Sequence, residues 1–370
     1  MPNIITFLIR RFFSFILTFL LVTLVLYGLA MFTPVETRAD LYMPKIGGSR
    51  EIPPERLQKL KDNIIERYGL NKPFPVQYFN WLIRLPQGEW GYSPSAKMDV
   101  LPALLERAPN TAELILYSLL VFIPFGIISG VKAGSKAGSA ADVRFRMAAF
   151  IGASIPPFIL ALFLLSIFWV GLYWFPTGRL STQLSALVAS ADFTQYTGLL
   201  TIDGLLNGRP DVSLDALRHL VLPVFTLSLV HWATLGRITR AVTIAEMDRD
   251  YVLAARSHGI SEKRIRWRHV LRNVLVPALN SSALSIASLV TGLFVIEKIF
   301  LYNGISSMFT SSIGYVPGIP GLVTITGVPD VVGALGFAVF SVVVVLCLML
   351  ILDILQAIID PRIREAGGLA

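Results

Sequence analysis

Residues 12–32 read FFSFILTFLLVTLVLYGLAMF and carry no charged side chain. An α-helix of about 20 apolar residues is long enough to cross the ~30 Å hydrocarbon core of a bilayer. Arg10 and Arg11 precede this run, and no convincing cleavage site of small residues follows it. The run therefore predicts a retained first membrane helix rather than a signal peptide.

The rest of the sequence contains five more apolar stretches of similar length. They cover residues 112–131, 147–174, 219–236, 275–297 and 331–358. The chain is 54% hydrophobic and only 15% charged, whereas soluble domains average about 25% charged residues. The sequence thus predicts an all-α polytopic membrane protein with six transmembrane helices. In the third span, Pro156-Pro157 should kink or unwind the first half.

Basic residues are distributed unevenly between the spans. Residues 237–272, between spans four and five, contain nine Lys/Arg against four acids, and residues 301–330 contain no Lys or Arg. Cytoplasmic loops of membrane proteins carry such an excess of positive charge, so we expect both termini in the cytoplasm. The net charge of +8 fits anionic headgroups beside the spans better than nucleic acid, and membrane lipid is the partner it indicates.

Residues 33–111 are the exception, because they hold eleven Lys/Arg on the predicted outer side. Long, acid-rich segments translocate largely regardless of charge, so we expect an extracytoplasmic subdomain here, with a helix opening at Pro53-Pro54-Glu55. The predicted organisation in chain order is a transmembrane helix at 1–32, the subdomain at 33–111, a five-helix core at 112–364 and a tail at 365–370.

The loop at about 246–277 contains a helix–glycine–helix elbow. Asp250 to His258 favour a short helix, which Gly259 should end in the left-handed conformation. Ser261 is placed to cap a second helix that runs into the fifth span. Four residues of the first helix fall at i, i+3, i+4 and i+7, so they should share one shallow face open to another protein: Tyr251, Ala254, Ala255 and His258.

The elbow resembles the EAA loop of ABC-importer permeases. Ala254, Ala255 and Gly259 match that pattern, whereas Leu253 stands where the family has Glu. The closer resemblance is to the dipeptide/oligopeptide/nickel permease branch. The residues that match the branch are Asp250, Tyr251, Ala255, Arg256, Gly259, Arg268, His269, Arg272, Asn273 and Pro277.

The resemblance extends along nearly the whole chain, in order. It includes the segments 68–78, 88–93, 106–111, 154–157 and 360–364. It implies the type I ABC-importer fold, in a multi-pass protein of a bacterial or archaeal cell (inner) membrane. The implied partners are a second homologous permease, two cytoplasmic ATP-binding-cassette ATPases and an extracytoplasmic substrate-binding protein. The ATPase would grip the elbow around Ala254, Ala255 and Gly259.

The sequence does not predict a catalytic site in this chain. Gly134-Ser-Lys136-Ala does not complete a phosphate-binding loop, so ATP hydrolysis is expected on partner subunits. The four histidines lie outside any metal or triad spacing, and we expect no catalytic residue, metal or cofactor. Asp353 and the pair Glu297-Lys298 near span ends are interpreted as structural.

Several functions remain open at this point. The resemblance favours import of dipeptides or oligopeptides, and the same machinery could carry nickel chelates or oligosaccharides. An ion-coupled secondary transporter is a competing hypothesis, although the paired buried carboxylates it needs are not evident. A membrane-embedded enzyme would need a reactive constellation at membrane depth, which the His, Cys and acid positions do not offer. A non-transporting membrane scaffold is a further alternative.

Overall fold

The computed structural model describes residues 4–35, 39, 54–313 and 330–359. Parts of the sequence predictions lie outside these residues. They are Pro53 at the predicted helix start, the segment 360–364 and the tail 365–370.

Membrane-spanning helices dominate the described residues. Five are long and apolar enough to cross a bilayer, or six if a sharply bent pair counts as one span. The five spans contain α1 (Ile4–Ala30), α4 (Val100–Gly134), α9 (Pro210–Met247), α12 (Leu271–Ile299) and α14 (Val331–Ile359). The span that contains α12 begins earlier, at Glu262. This confirms the polytopic helical fold class.

The shorter elements lie between these spans. They are α2 (Pro54–Tyr68), α3 (Phe74–Arg84), β1 (Tyr92–Ser93), β2 (Met98–Asp99), α5 (Ala140–Ser154), α6 (Pro157–Leu164), α7 (Thr182–Val188), α8 (Leu200–Leu206), α10 (Asp250–Ser257), α11 (Glu262–Arg264) and α13 (Ser306–Ile313). Strands β1 and β2 form an antiparallel hairpin, a small exception to the all-α prediction.

The interruption predicted at Pro156-Pro157 in the third span, 147–174, is confirmed, and it is sharper than a kink. Two helical arms, 140–154 and 157–171, meet at 96°, and the second arm ends in a π-helical segment, Leu165–Gly171. Ile155 is extended, with φ −90° and ψ 120°, as expected for a residue before proline. Pro156 and Pro157 also remove two backbone donors, so the helix breaks instead of bending gently.

The predicted spans are also too short at several ends. Helix α4 begins at Val100 rather than at residue 112, and α9 covers Pro210–Met247 rather than 219–236. Hydrophobicity marks only the part of a helix that meets lipid. The additional turns carry polar residues such as Arg107, Asp211 and Glu246, and the hydrophobic pattern misses them.

The chain divides into two compact units. The first comprises Met1–Arg11, Asn110–Asn303 and Cys347–Ala370, and the second comprises Phe12–Pro109 and Gly304–Leu346. The predicted division at residues 32 and 111 remains a prediction. In the second unit, Tyr27 of α1 and Trp81 of α3 are buried with Leu335 of α14.

In the first unit, α9 is the central helix and packs against α5, α6, α8 and α12. Glycines of α4 allow a close approach to α9. A Cβ atom on Gly130 would lie 2.6 Å from the Gly236 carbonyl oxygen, and one on Gly134 would lie 2.6 Å from the Arg240 carbonyl oxygen. With Gly126 these residues form a small-residue motif at four-residue spacing, which membrane helices use for tight packing.

Candidate coupling site

The first helix of the elbow, α10, ends at a glycine turn. Gly259 has φ +74°, a conformation that costs glycine little. The Ile260 amide donates to the Ala255 carbonyl oxygen at 3.1 Å, and the Gly259 amide donates to that of Arg256 at 2.9 Å. This is the Schellman pattern of helix termination. The predicted helix and glycine stop are confirmed, and the helix ends one residue earlier, at Ser257.

The two alanines of the elbow do not share an open face. Ala255 is buried together with Val252, whereas Ala254 is exposed and Leu253 is 67% exposed. The prediction that both alanines face a partner is therefore wrong for Ala255, which packs α10 onto the rest of the chain. The exposed face consists of Leu253, Ala254 and Ser257, and we call it the elbow face.

The second arm of the elbow leads into α12. Helix α11 continues through a π-helical turn, Ile265–Val270, in which Ile265 and Val270 are fully buried. The turn packs against α10. The predicted side-chain cap by Ser261 is not formed; its carbonyl oxygen instead accepts from the Arg264 amide at 2.9 Å.

An exposed ion pair bridges the two arms. Arg256 Nε lies 2.7 Å from Glu262 Oε1, and this carboxylate raises the pKa of Arg256 above its usual value. Exposed ion pairs contribute only about 0–1 kcal/mol. The pair therefore favours one angle between the arms and does not hold the elbow rigid by itself.

Glu246 connects three elements of the site. It lies in the last turn of α9, and its Oε2 accepts from the Tyr251 hydroxyl at 2.9 Å and from Asn273 Nδ2 at 3.3 Å. Tyr251 belongs to α10 and Asn273 to α12, so one carboxylate joins the elbow helix to both flanking spans. Burial raises the pKa of the Tyr251 phenol above its usual value. The phenol thus remains a hydrogen-bond donor at neutral pH.

The remaining predicted site residues surround this arrangement. Asp250 begins α10, where a carboxylate favours the helix dipole. Arg268 and Arg272 are exposed one turn apart, and His269 is half-buried. Pro277 lies inside α12 and is exposed. His258 closes onto its own helix, with Nδ1 2.7 Å from the Ala254 carbonyl oxygen.

A second polar cluster, missed by the sequence analysis, lies around Glu113 of α4. This carboxylate is fully buried and accepts from Arg179, from both the amide and the hydroxyl of Thr201, and from the Tyr302 hydroxyl, at 2.8–3.0 Å. Burial also raises the pKa of Tyr302 well above its usual value. The segment 106–111, which leads into it, resembles the family. The only sequence signal for the residue that pairs with Glu113 is that Arg179 is a lone cation in a neutral stretch.

Neighbouring contacts tie the same helix to the end of α12. The Thr111 hydroxyl donates to Glu297 Oε1 at 2.5 Å, and Asn110 Nδ2 donates to the Asn303 carbonyl oxygen at 2.6 Å. Glu297 is therefore a buried acceptor for Thr111.

At the other end of α4, Asp142 at the start of α5 is fully buried. Arg240 of α9 binds it through two nitrogens, at 2.5 and 2.8 Å, and the Gly138 amide donates to it at 3.0 Å. A bidentate pair of this kind fixes orientation as well as distance. The connection between α4 and α5 is thereby held against α9, the helix that leads into the elbow.

These features define a class of protein. It is a multi-pass helical membrane protein in which a helix–glycine–helix elbow is hydrogen-bonded to the two spans that flank it. Comparison with known protein families identifies the group within that class. Residues 122–365 match the family described as binding-protein-dependent transport system inner membrane component, and residues 4–115 match its N-terminal region. The chain belongs to this family.

Curated relatives agree with this assignment. The oligopeptide transport system permease protein AppB of Bacillus subtilis is 32% identical over 84% of this chain and 87% of its own length. The di/tripeptide transport system permease protein DppB of Pseudomonas aeruginosa is 33% identical, over 83% and 87%. The dipeptide transport system permease protein DppB of Escherichia coli is 27% identical, over 97% and 98%.

Proposed function

We propose that this chain is one of two permeases in an ATP-driven importer of dipeptides or oligopeptides. The relatives above are named for peptide transport, and similarity at this level covers most of the chain. A second homologous permease completes the path. Two cytoplasmic ATP-binding-cassette ATPases drive it, and a substrate-binding protein delivers the peptide from outside.

The observation that carries this proposal is the elbow. Its exposed Leu253 and Ala254 form a small apolar surface, while its buried side and Glu246 connect it to α9 and α12. A soluble partner that grips the elbow face can therefore move two spans together. The ATPase-coupling residues are those matched to the family, and Leu253 joins Ala254 as a direct contact. Ala255 and Gly259 shape the helix beneath them.

The orientation of the elbow is supported by an ion pair between the ends of the chain. Arg11, near the start of α1, lies 3.1 Å from Asp353, near the end of α14. These two helix ends must then share one membrane surface, which requires an even number of crossings. Five long helices cross the membrane, and the bent pair α5–α6 is the sixth crossing. The excess of Lys and Arg in the loops supports a cytoplasmic position for both termini and the elbow.

Affinity purification of the tagged chain from its own cells tests the proposal. In mild detergent, mass spectrometry should identify an ATP-binding-cassette ATPase and a second permease with the wild-type chain. Ala254→Arg should lose the ATPase and keep the permease, because the new side chain obstructs only the elbow face. Gln183→Arg adds the same charge at an exposed site of α7 and should retain both. A wild-type chain that purifies alone would refute the proposal.

A further inference from the structure

Helix α3 is amphipathic and lies beside the last third of α1. The Tyr78 hydroxyl donates to the Leu20 carbonyl oxygen at 2.9 Å, and the Trp81 ring lies 4.9 Å from that of Tyr27. The Phe74 ring also lies 6.2 Å from that of Tyr27. At 1.5 Å per residue, Tyr27 is only about 5 Å from the end of α1 at Ala30, and the Tyr78 side chain alone reaches deeper, toward Leu20. Helix α3 is therefore placed at the depth where a bilayer passes from acyl chains to headgroups.

The side of α3 that faces away from α1 is apolar. Val76, Phe79 and Ile83 are all exposed, and Phe79 is exposed to 60%. Their spacing of three and four residues places them in one stripe along the helix. Helices with such a stripe lie in the membrane interface with the apolar face some 5–10 Å deep. Leu21, Val25 and Leu29 of α1 are exposed as well, so this part of the unit has an apolar surface suited to lipid.

A polar cavity of about 450 Å³ borders this stripe. Its lining consists of Arg67, Asn80, Ile83, Arg84, Gln87 and Glu89. Two guanidinium groups and one carboxylate leave a net charge of +1, with Glu89 3.9 Å from Arg84. The volume lies within the range of ordinary ligand sites. Ile83 belongs to both the stripe and the cavity, so one amphipathic molecule could occupy the two surfaces together.

Local hydrogen bonds fix the backbone next to the two arginines. Arg67 lies in the last turn of α2 and Arg84 ends α3, and the connection between these helices is fixed by Gln77. Its buried side-chain amide donates to the carbonyl oxygens of Leu70 and Lys72, at 2.7 and 2.6 Å. On the far side, the turn after α3 is fixed by Trp90, whose Nε1 donates to the Leu85 carbonyl oxygen at 3.0 Å. Hydrogen bonds therefore fix the backbone on both sides of the cavity.

We propose that this cavity binds the phosphate group of an anionic glycerophospholipid from the leaflet at the Ala30 end of α1. Arg67 and Arg84 contact the phosphate oxygens, and Asn80 and Gln87 contact the remaining headgroup atoms. The acyl chains lie along Val76, Phe79 and Ile83. Guanidinium groups match the geometry of phosphate oxygens, and the adjacent stripe distinguishes a lipid from a free anion. This inference does not depend on the cargo or on the ATPase.

Native mass spectrometry of the purified protein in mild detergent tests the site by titration with defined lipids. Phosphatidylglycerol should bind at least tenfold more tightly than diacylglycerol, which lacks the phosphate. The double variant Arg67→Gln/Arg84→Gln should reduce this preference at least tenfold. Arg56→Gln, an exposed change on the same α2 helix, should leave it unchanged. Inorganic phosphate at millimolar concentration should not displace the lipid.

Two outcomes would overturn the proposal. One is equal phosphatidylglycerol binding by the double variant and by Arg56→Gln. The other is complete displacement by inorganic phosphate, which would assign the cavity to a free anion.

A second measurement keeps both arginines and so does not depend on how the double variant folds. With Cys347, the one cysteine of the sequence, replaced by serine, a spin label is placed at Phe79→Cys or at the exposed Lys72→Cys. In phosphatidylglycerol vesicles, oxygen should relax the label at 79 more than a water-soluble nickel chelate does, with the reverse order at 72. Preference for the nickel chelate at 79 would contradict an interfacial α3.

Discussion

The Tyr251 hydroxyl donates a 2.9 Å hydrogen bond to Glu246 Oε2, and this bond joins the elbow helix α10 to the end of the span α9. The same oxygen accepts from Asn273 in α12. A displacement of α10 therefore acts on two spans through a single carboxylate, in addition to the packing of Val252 and Ala255.

Removing this hydroxyl should weaken the mechanical connection without removing the docking surface. Tyr251→Phe should cost about 1 kcal/mol of stability, the usual size for one hydrogen bond. The ATPase should still co-purify, while peptide uptake per ATP hydrolysed falls several-fold. Both rates can be measured in proteoliposomes. Tyr196→Phe, at an exposed tyrosine, is the matched control; an unchanged ratio in Tyr251→Phe would contradict the connection.

The ion pair between Arg11 and Asp353 leads to a prediction about topology. Because the ion pair joins the start of α1 to the end of α14, both termini should be on the same side of the membrane, and the number of crossings should be even. Single cysteines placed at Asn3 and Gly367, each in a Cys347→Ser background, should both resist an impermeant thiol reagent in intact cells and react after permeabilisation. Opposite accessibility of the two termini would show that the α5–α6 pair does not cross.

Close packing between α4 and α9 should be sensitive to a single methyl group. A Cβ atom at Gly130 would approach the Thr239 Cβ as well as the Gly236 carbonyl oxygen to 2.6 Å. Gly130→Ala should therefore destabilise the protein by about 1–3 kcal/mol, as overpacking does. Gly292→Ala in α12 meets nothing within 4 Å and should be neutral or stabilising. Thermal unfolding followed by size-exclusion chromatography compares them, and equal midpoints would contradict the packing argument.

The buried Glu113–Arg179 pair should behave as a coupled unit. Glu113→Ala leaves the Arg179 guanidinium, only 19% exposed, without its carboxylate, and should cost about 3–5 kcal/mol. Glu106→Ala, at an exposed acid of the same helix, should stay within about 0.5 kcal/mol. Adding Arg179→Ala to Glu113→Ala should cost less than Arg179→Ala does alone. Strictly additive losses in a double-mutant cycle would show that the pair is not coupled.

Regular features of the fold could be read from the sequence. Long uncharged runs such as 12–32 fix where helices meet lipid, and Gly259 is a strong helix stop because few other residues adopt a positive φ at low cost. The bent pair was harder to predict. Pro156-Pro157 indicated a break, but the 96° angle depends on the helices packed around it.

The burial of individual elbow residues could not be predicted from helical spacing. A helical wheel shows that Tyr251 and Ala255 share a face, but not whether that face turns inward. The structure buries Ala255 and exposes Leu253, one of the residues at which the sequence departs from the EAA pattern. Likewise, Glu113 and Thr201 meet across 88 residues of chain, a contact with no local signature.

The most direct test of the coupling account is site-specific photocrosslinking from the elbow face. A benzoylphenylalanine at Leu253, in cells that express the complete transport system, should form an adduct that mass spectrometry identifies as the chain joined to an ATP-binding-cassette ATPase. The same probe at Gln183 in α7 should form no ATPase adduct. Adducts at Leu253 with lipid alone, or an equal ATPase yield from both positions, would contradict the central claim that the partner ATPase grips this elbow.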